Sequence, residues 1–143
     1  MLLKPKKFKN FKIKKGNMKS LNFKSKNLIK GNFGLKALEY TRLTSKQIET
    51  LYKIVKKKLQ KKSKIYINIF PDIFVTKKKK NFRMGKGKGD LKSWICKIKP
   101  GKILFEINDN NINSNKKFIL KALKIGSSKL SIKTKIIYLK KLK

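Results

Sequence analysis

Apolar residues along this 143-residue chain repeat with two different periods, and the changes of period mark its elements. After Thr44, the positions Ile48, Leu51, Tyr52, Val55 and Leu59 recur every three or four residues, which gathers them into one stripe along a helix. Thr44-Ser45-Lys46-Gln47 forms a capping-box pattern, with Thr44 as N-cap and Gln47 at the third helical position. The spacing predicts a helix from about Thr44 to about Lys61, with Lys46, Lys53, Lys56, Lys57 and Lys61 mostly off the stripe. At Lys64 the period drops to two: Ile65, Ile67 and Ile69 point one way, Tyr66, Asn68 and Phe70 the other. That predicts a strand stopped by Pro71-Asp72. Residues 92–98 and 102–107 read as two further strands, joined by Pro100-Gly101 in a hairpin turn. A second helix is expected from Ser114 to about Ile125, with Phe118, Ile119, Ala122 and Leu123 inward and Gly126 as its stop. Ser131 to Leu139, rich in β-branched residues, predicts a last strand. Strands and helices mix without regular βαβ alternation, so the expected class is α+β: a mixed or antiparallel sheet with two helices packed on it.

Two segments have no sustained period. Residues 1–30 hold eleven lysines and no acid, with Phe8, Phe11, Ile13, Leu21 and Phe23 scattered among them. Such a segment reads as an irregular basic extension that orders on its partner, its aromatics stacking on unpaired bases. Residues 31–143 then form a single domain. Within it, Ile73 to Gly89 is a long excursion between two predicted strands, containing Lys77, Lys78, Lys79 and Lys80 in a row, then Asn81 and Phe82. The run Arg83-Met84-Gly85-Lys86-Gly87-Lys88-Gly89 completes it. Structureless segments of this length in a compact domain are functional or disordered, and disorder would account for the lysines alone. It would not account for one arginine and three alternating glycines.

Charge changes the picture further. Lys and Arg number 42 against six acids, Glu39, Glu49, Asp72, Asp90, Glu106 and Asp109, for a formal net charge of +36. A small fold with that charge repels itself unless a polyanion neutralises it. Nucleic acid fits, because phosphates are densely charged and binding releases counterions. A membrane surface would need an amphipathic helix or a lipid signal, and no stretch is long and apolar enough to span a bilayer. Only Arg42 and Arg83 are arginines. A chain that otherwise uses lysine keeps guanidinium where a planar fork of donors or stacking on a base matters. With no histidine, the usual neutral-pH proton-transfer group is missing, which argues against an enzyme. Cys96 is the single cysteine, which excludes an internal disulfide and a multi-cysteine metal site. It lies in the run Trp94-Ile95-Cys96-Lys97-Ile98 and reads as a small buried hydrophobe. No cofactor is implied. The glycine run is no P-loop, since Gly87-Lys88 is followed by Gly89 and Asp90 and then by a strand. A dinucleotide fingerprint fails for want of the following helix. A flexible basic hairpin that reaches into RNA remains.

On these residues the chain resembles the bacterial-type L sixteen family of large-subunit ribosomal proteins. The loop signature is Arg83 to Gly89, followed by Trp94. Upstream, Phe33-Gly34-Leu35-Lys36-Ala37 and Arg42-Leu43-Thr44-Ser45-Lys46-Gln47-Ile48-Glu49 are similar to family blocks. Downstream, so are Pro100-Gly101-Lys102-Ile103-Leu104-Phe105-Glu106 and Lys129-Leu130-Ser131-Ile132-Lys133-Thr134. The chain departs at Tyr66 and Asn68, where the family usually has tryptophan and arginine, and at Ser131, usually proline. The resemblance implies a structural component of the large subunit, shaping the tRNA-binding cleft near the peptidyl-transferase centre. Its implied partners are large-subunit rRNA, tRNA and neighbouring ribosomal proteins, with no membrane and no homo-oligomer. Arg83 to Gly89 would face tRNA or rRNA. Lys4, Lys6, Lys7, Lys9, Lys12, Lys14, Lys15, Arg42 and Lys77 to Lys80 would meet rRNA. A free-standing basic RNA or DNA chaperone is the alternative. An excess of Lys, Asn, Ile and Phe suggests A/T-rich codons. With a family-like segment starting almost at Met1, this leads to the expectation of a mitochondrial ribosome, with plastid or bacterial cytoplasm as alternatives.

Overall fold

The computed structural model describes residues 3–6, 27–59, 63–85, 87–109 and 112–139, with side chains of the last stretch from residue 116 onward. The element order is β1 (Phe33–Ala37), β2 (Thr41–Thr44), α1 (Ser45–Lys58), β3 (Lys64–Ile67), β4 (Ile73–Lys77), β5 (Asp90–Ile98), β6 (Ile103–Asn108), α2 (Ile112–Ser127) and β7 (Thr134–Tyr138). The class is α+β, as expected, but the strands form two antiparallel sheets: β3-β6-β1-β7 and β2-β5-β4.

The expected hairpin at Pro100-Gly101 is therefore corrected, because β5 and β6 belong to different sheets. Lys99 to Lys102 is indeed a turn: the Lys102 N–H donates to the Lys99 carbonyl (3.2 Å) and Gly101 takes φ 91°. Its outer edge hooks onto β1 instead of folding β6 back on β5. The Gly101 N–H donates to the Ala37 carbonyl (2.8 Å), and the Ala37 N–H donates to the Lys102 carbonyl (2.9 Å). Since β1 pairs with β6 and β2 pairs with β5, the four strands make one bent antiparallel ribbon whose corner joins the sheets. The turn residues satisfy the backbone groups that the bend would leave bare.

The first helix forms for the reason its sequence supplies. The Thr44 Oγ1 accepts from the Gln47 N–H (3.4 Å), and the Gln47 Oε1 accepts from the Thr44 N–H (2.9 Å), so both halves of the capping box are present. Ile48, Leu51 and Val55 are buried, and Lys56, Lys57 and Lys58 close the last turn, where cations suit the negative end of the helix. α2 lies against α1, β1 and β7. Its buried stripe is Ile119, Ala122 and Leu123, and Phe118 is 70% exposed, against expectation. Gly126 extends that stripe and sits inside the helix instead of ending it. A Cβ there would lie 2.5 Å from Leu51 Cδ1, so the glycine lets the two helices approach closely.

Together with Phe33, Leu35, Phe105 and Ile107 from the larger sheet and Leu43, Cys96 and Ile98 from the smaller, the helix stripes build one core. The predicted strand at 64–70 ends early, at Ile67. Asn68 still donates its N–H to the Leu104 carbonyl (3.0 Å), and Ile69 is buried, but Phe70 turns half outward. Leu3, far from the rest of the fold in sequence, is also buried in the core cluster.

Candidate nucleic-acid interface

β4 and β5 pair from Ile73↔Ile95 to Lys77↔Asp90, so the excursion at 73–89 is partly regular. Its first five residues form an edge strand, correcting the reading of the whole segment as a loop. The sequence held the signal, since Ile73-Phe74-Val75-Thr76 is a β-branched and aromatic run. What projects beyond the paired strands is residues 78–89.

The three glycines of the run meet two different needs. Gly85 (φ 93°) and Gly87 (φ 73°) lie in the left-handed region, where other residues carry a steric penalty. The Gly87 N–H donates to the Gly85 carbonyl (3.1 Å), and a Cβ at either glycine would meet open space. Gly89 is at the neck of the projection, where a Cβ would fall 2.5 Å from the Lys77 carbonyl carbon and oxygen and 2.6 Å from the Lys78 nitrogen. Two glycines shape the tip, and the third lets the two strands pass close together.

Arg83 stands exposed on this tip between Phe82 and Met84, which are 57% and 91% exposed. Lys77, Lys79, Lys80 and Lys88 are exposed, while Lys78 is half-buried; Lys86 lies outside the described residues. Asp90, the one acid at this end, reaches Lys79 (3.7 Å), with both side chains mostly in solvent, where such a pair contributes little. At the base, the Lys88 ammonium lies 5.6 Å from the centre of the Phe74 ring, and Phe74 meets Trp94 edge-on at 6.1 Å. Trp94 is buried, so the base of the projection is anchored while its cationic tip extends into solvent.

The other predicted contacts are dispersed. Arg42 is exposed in β2, opposite Lys97 of β5, on the smaller sheet that also carries the projection. Lys4 and Lys6 are exposed beside buried Leu3, whereas Lys7, Lys9, Lys12, Lys14 and Lys15 lie outside the described residues. Cys96 is buried, and burial pushes its thiol above the ordinary value, with Lys102 partly opposing the shift. It is a neutral core side chain. Among the described residues no group of His, Cys, Asp and Glu could hold a metal ion, and no helix is long and apolar enough to cross a membrane.

One feature escaped the periodic reading altogether. Glu106 is 1% exposed in β6, and its Oε2 accepts three consecutive backbone N–H groups, from Ile29 (3.1 Å), Lys30 (2.7 Å) and Gly31 (2.9 Å). Its Oε1 accepts from the Asn68 Nδ2. An acid between Phe105 and Ile107 points to the sheet face opposite those two apolar neighbours, and alternation alone would have placed it in solvent. The only trace in the sequence is that just six acids occur, one of them in the middle of an apolar strand.

Comparison with known proteins adds a family. The model of the family described as ribosomal protein L16p/L10e matches residues 4–137. A protein of Carsonella ruddii called large ribosomal subunit protein uL16 is 46% identical over 135 residues, covering 94% of this chain and 97% of that one. Proteins with the same name from Allorhizobium ampelinum and Maricaulis maris are 38% and 40% identical over 136 residues, covering 95% of this chain and 96% of each relative.

Proposed function

The chain belongs to the ribosomal protein L16p/L10e family, and from that premise we propose how its basic surfaces act in a large ribosomal subunit. It is a structural constituent of that subunit and not an enzyme. The observation that carries this is the extent of the match, which takes in both helices, both sheets, the β4–β5 projection and the basic segment at Lys4 to Lys15. A free-standing chaperone would share the charge but has no need of the whole pattern.

In this reading the N-terminal extension, residues 1–30, binds rRNA through its lysines, and residues 31–143 are the domain it serves. Lys77 to Lys80 meet rRNA phosphates along the projection, and Arg42 meets rRNA beside it. Arg83 to Gly89 reach toward tRNA and the rRNA around it, shaping the tRNA-binding cleft. The anchored base supports that role: a tip fixed at Phe74 and Trp94 loses less freedom on meeting its target. Neighbouring ribosomal proteins complete the partner set. The bacterial relatives support a bacterial ribosome as the setting, while the A/T-type composition is what favours a mitochondrial one.

Arg83→Lys tests the tip. The charge is kept, so rRNA attraction and subunit assembly should be unchanged. The planar fork is lost, a difference of about 1–3 kcal/mol where it grips two acceptors on a base. Particles carrying the variant should bind tRNA roughly tenfold more weakly, with slower peptide-bond formation. Lys78→Arg is the control and should change neither. Equal tRNA affinity for wild type and Arg83→Lys would remove Arg83 from the tRNA contact.

A further inference from the structure

We propose that Glu106 is the clasp that positions the basic N-terminal extension on the fold, so that a buried acid strengthens RNA binding by an otherwise cationic protein. The proposal rests on the reading of the extension as an rRNA-binding arm. Four hydrogen bonds meet at this side chain. Three successive N–H groups, of Ile29, Lys30 and Gly31, converge on one carboxylate oxygen at 2.7–3.1 Å, and Asn68 occupies the other oxygen. The carboxylate is almost wholly excluded from solvent, where charge-assisted bonds are strong and an unpaired N–H is costly.

Gly31, within the clasped segment, and Gly34, just after it, let the segment lie flat on the sheet. A Cβ at Gly31 would come within 2.7 Å of the Ile107 carbonyl oxygen, and one at Gly34 within 2.4 Å of Leu28 Cδ2. Lys30 is fixed in addition by its ammonium, 5.9 Å from the Tyr66 ring centre. The Asn32 N–H continues the attachment by donating to the Ile107 carbonyl (2.9 Å). Residues 28–32 are therefore laid across the sheet at a defined place and direction, which fixes the C-terminal end of the extension on the fold. Glu106 touches no RNA in this account. It is a positioning residue, acting through backbone it holds.

The sign of one substitution separates this role from general electrostatics. Glu106→Gln removes a negative charge, which by attraction alone should tighten RNA binding. The clasp predicts the reverse, because a neutral amide holds three N–H groups less firmly than a carboxylate does. Affinity of the full chain would be measured for transcribed bacterial large-subunit rRNA across a salt series, with poly(A) RNA as the non-specific reference. Glu106→Gln should weaken rRNA binding roughly fivefold and make its salt dependence shallower. Hydrogen exchange should quicken at Ile29, Lys30 and Gly31 and stay slow at Leu35 in β1, which shows that the fold survives.

A second full-length variant, with Lys4, Lys6, Lys7, Lys9, Lys12, Lys14 and Lys15 all changed to Gln, completes a double-mutant cycle. In that background Glu106→Gln should have a much smaller further effect on rRNA affinity, since the arm it positions has lost seven of its eleven lysines. Unchanged or tighter rRNA binding by Glu106→Gln, or an equal loss in both backgrounds, would overturn the clasp. If the seven-lysine variant binds rRNA as well as wild type, the arm itself is not an rRNA contact, and both readings fall.

Discussion

At the scale of single residues, the glycine-rich run divides into positions that need a backbone angle and a position that needs space. Gly85→Ala meets no neighbour and carries only the penalty of a positive φ, about 1–2 kcal/mol. Gly89→Ala drives a Cβ into the backbone of Lys77 and Lys78, which cannot move without parting β4 from β5. It should destabilise the neck by about 1–3 kcal/mol, as overpacking does elsewhere. Hydrogen exchange in β4 and β5 would show it: fast near Lys77 and Asp90 for Gly89→Ala, near wild type for Gly85→Ala. If the two substitutions behave alike at the neck, the division of labour among the glycines is wrong. Arg83 and Glu106 belong to the same scale. One is a rare arginine where lysine is the habit, and the other is a rare acid where apolar residues are the habit.

Among the elements, α1 was the most legible in the sequence and the joining of strands the least. The capping box and the stripe of Ile48, Leu51 and Val55 are local features, and both appear as expected. Thr44→Ala should therefore cost about 1 kcal/mol, since it bares helix N–H groups, while Thr44→Ser should cost little. Thermal unfolding of the two variants checks it; equal midpoints for Thr44→Ala and wild type would contradict the cap. By contrast, Pro100-Gly101 supplies a turn but does not say what the turn joins, and pairing partners as distant as Ala37 decide that. β1 and β2 went unpredicted because they are four or five residues long and include Gly34, Arg42 and two threonines, too little for a period to emerge. Phe118, expected inward with Ile119, Ala122 and Leu123, faces solvent instead. The stripe set by Ile119, Ala122, Leu123 and Gly126 turns the preceding position to solvent. Of the candidate site, Arg83 and the glycines could be read from composition, whereas the Glu106 contacts required knowing which backbone would cross β6.

For the whole molecule, a formal charge of +36 on 143 residues is the governing fact, and the fold distributes it around an ordinary apolar core. Such a protein is stabilised by what it binds, because any polyanion favouring the folded state shifts folding by mass action. Membership of the L16p/L10e family makes that polyanion rRNA. The most direct measurement is sedimentation of ribosomes from cells producing the full chain, with detection of the chain through a moderate-salt wash. A large-subunit constituent held by many phosphate contacts and a shaped projection should appear almost entirely in the large-subunit and whole-ribosome peaks and stay there. A chain found mainly at the top of the gradient, or spread over RNA of every size and stripped by the wash, would contradict the account.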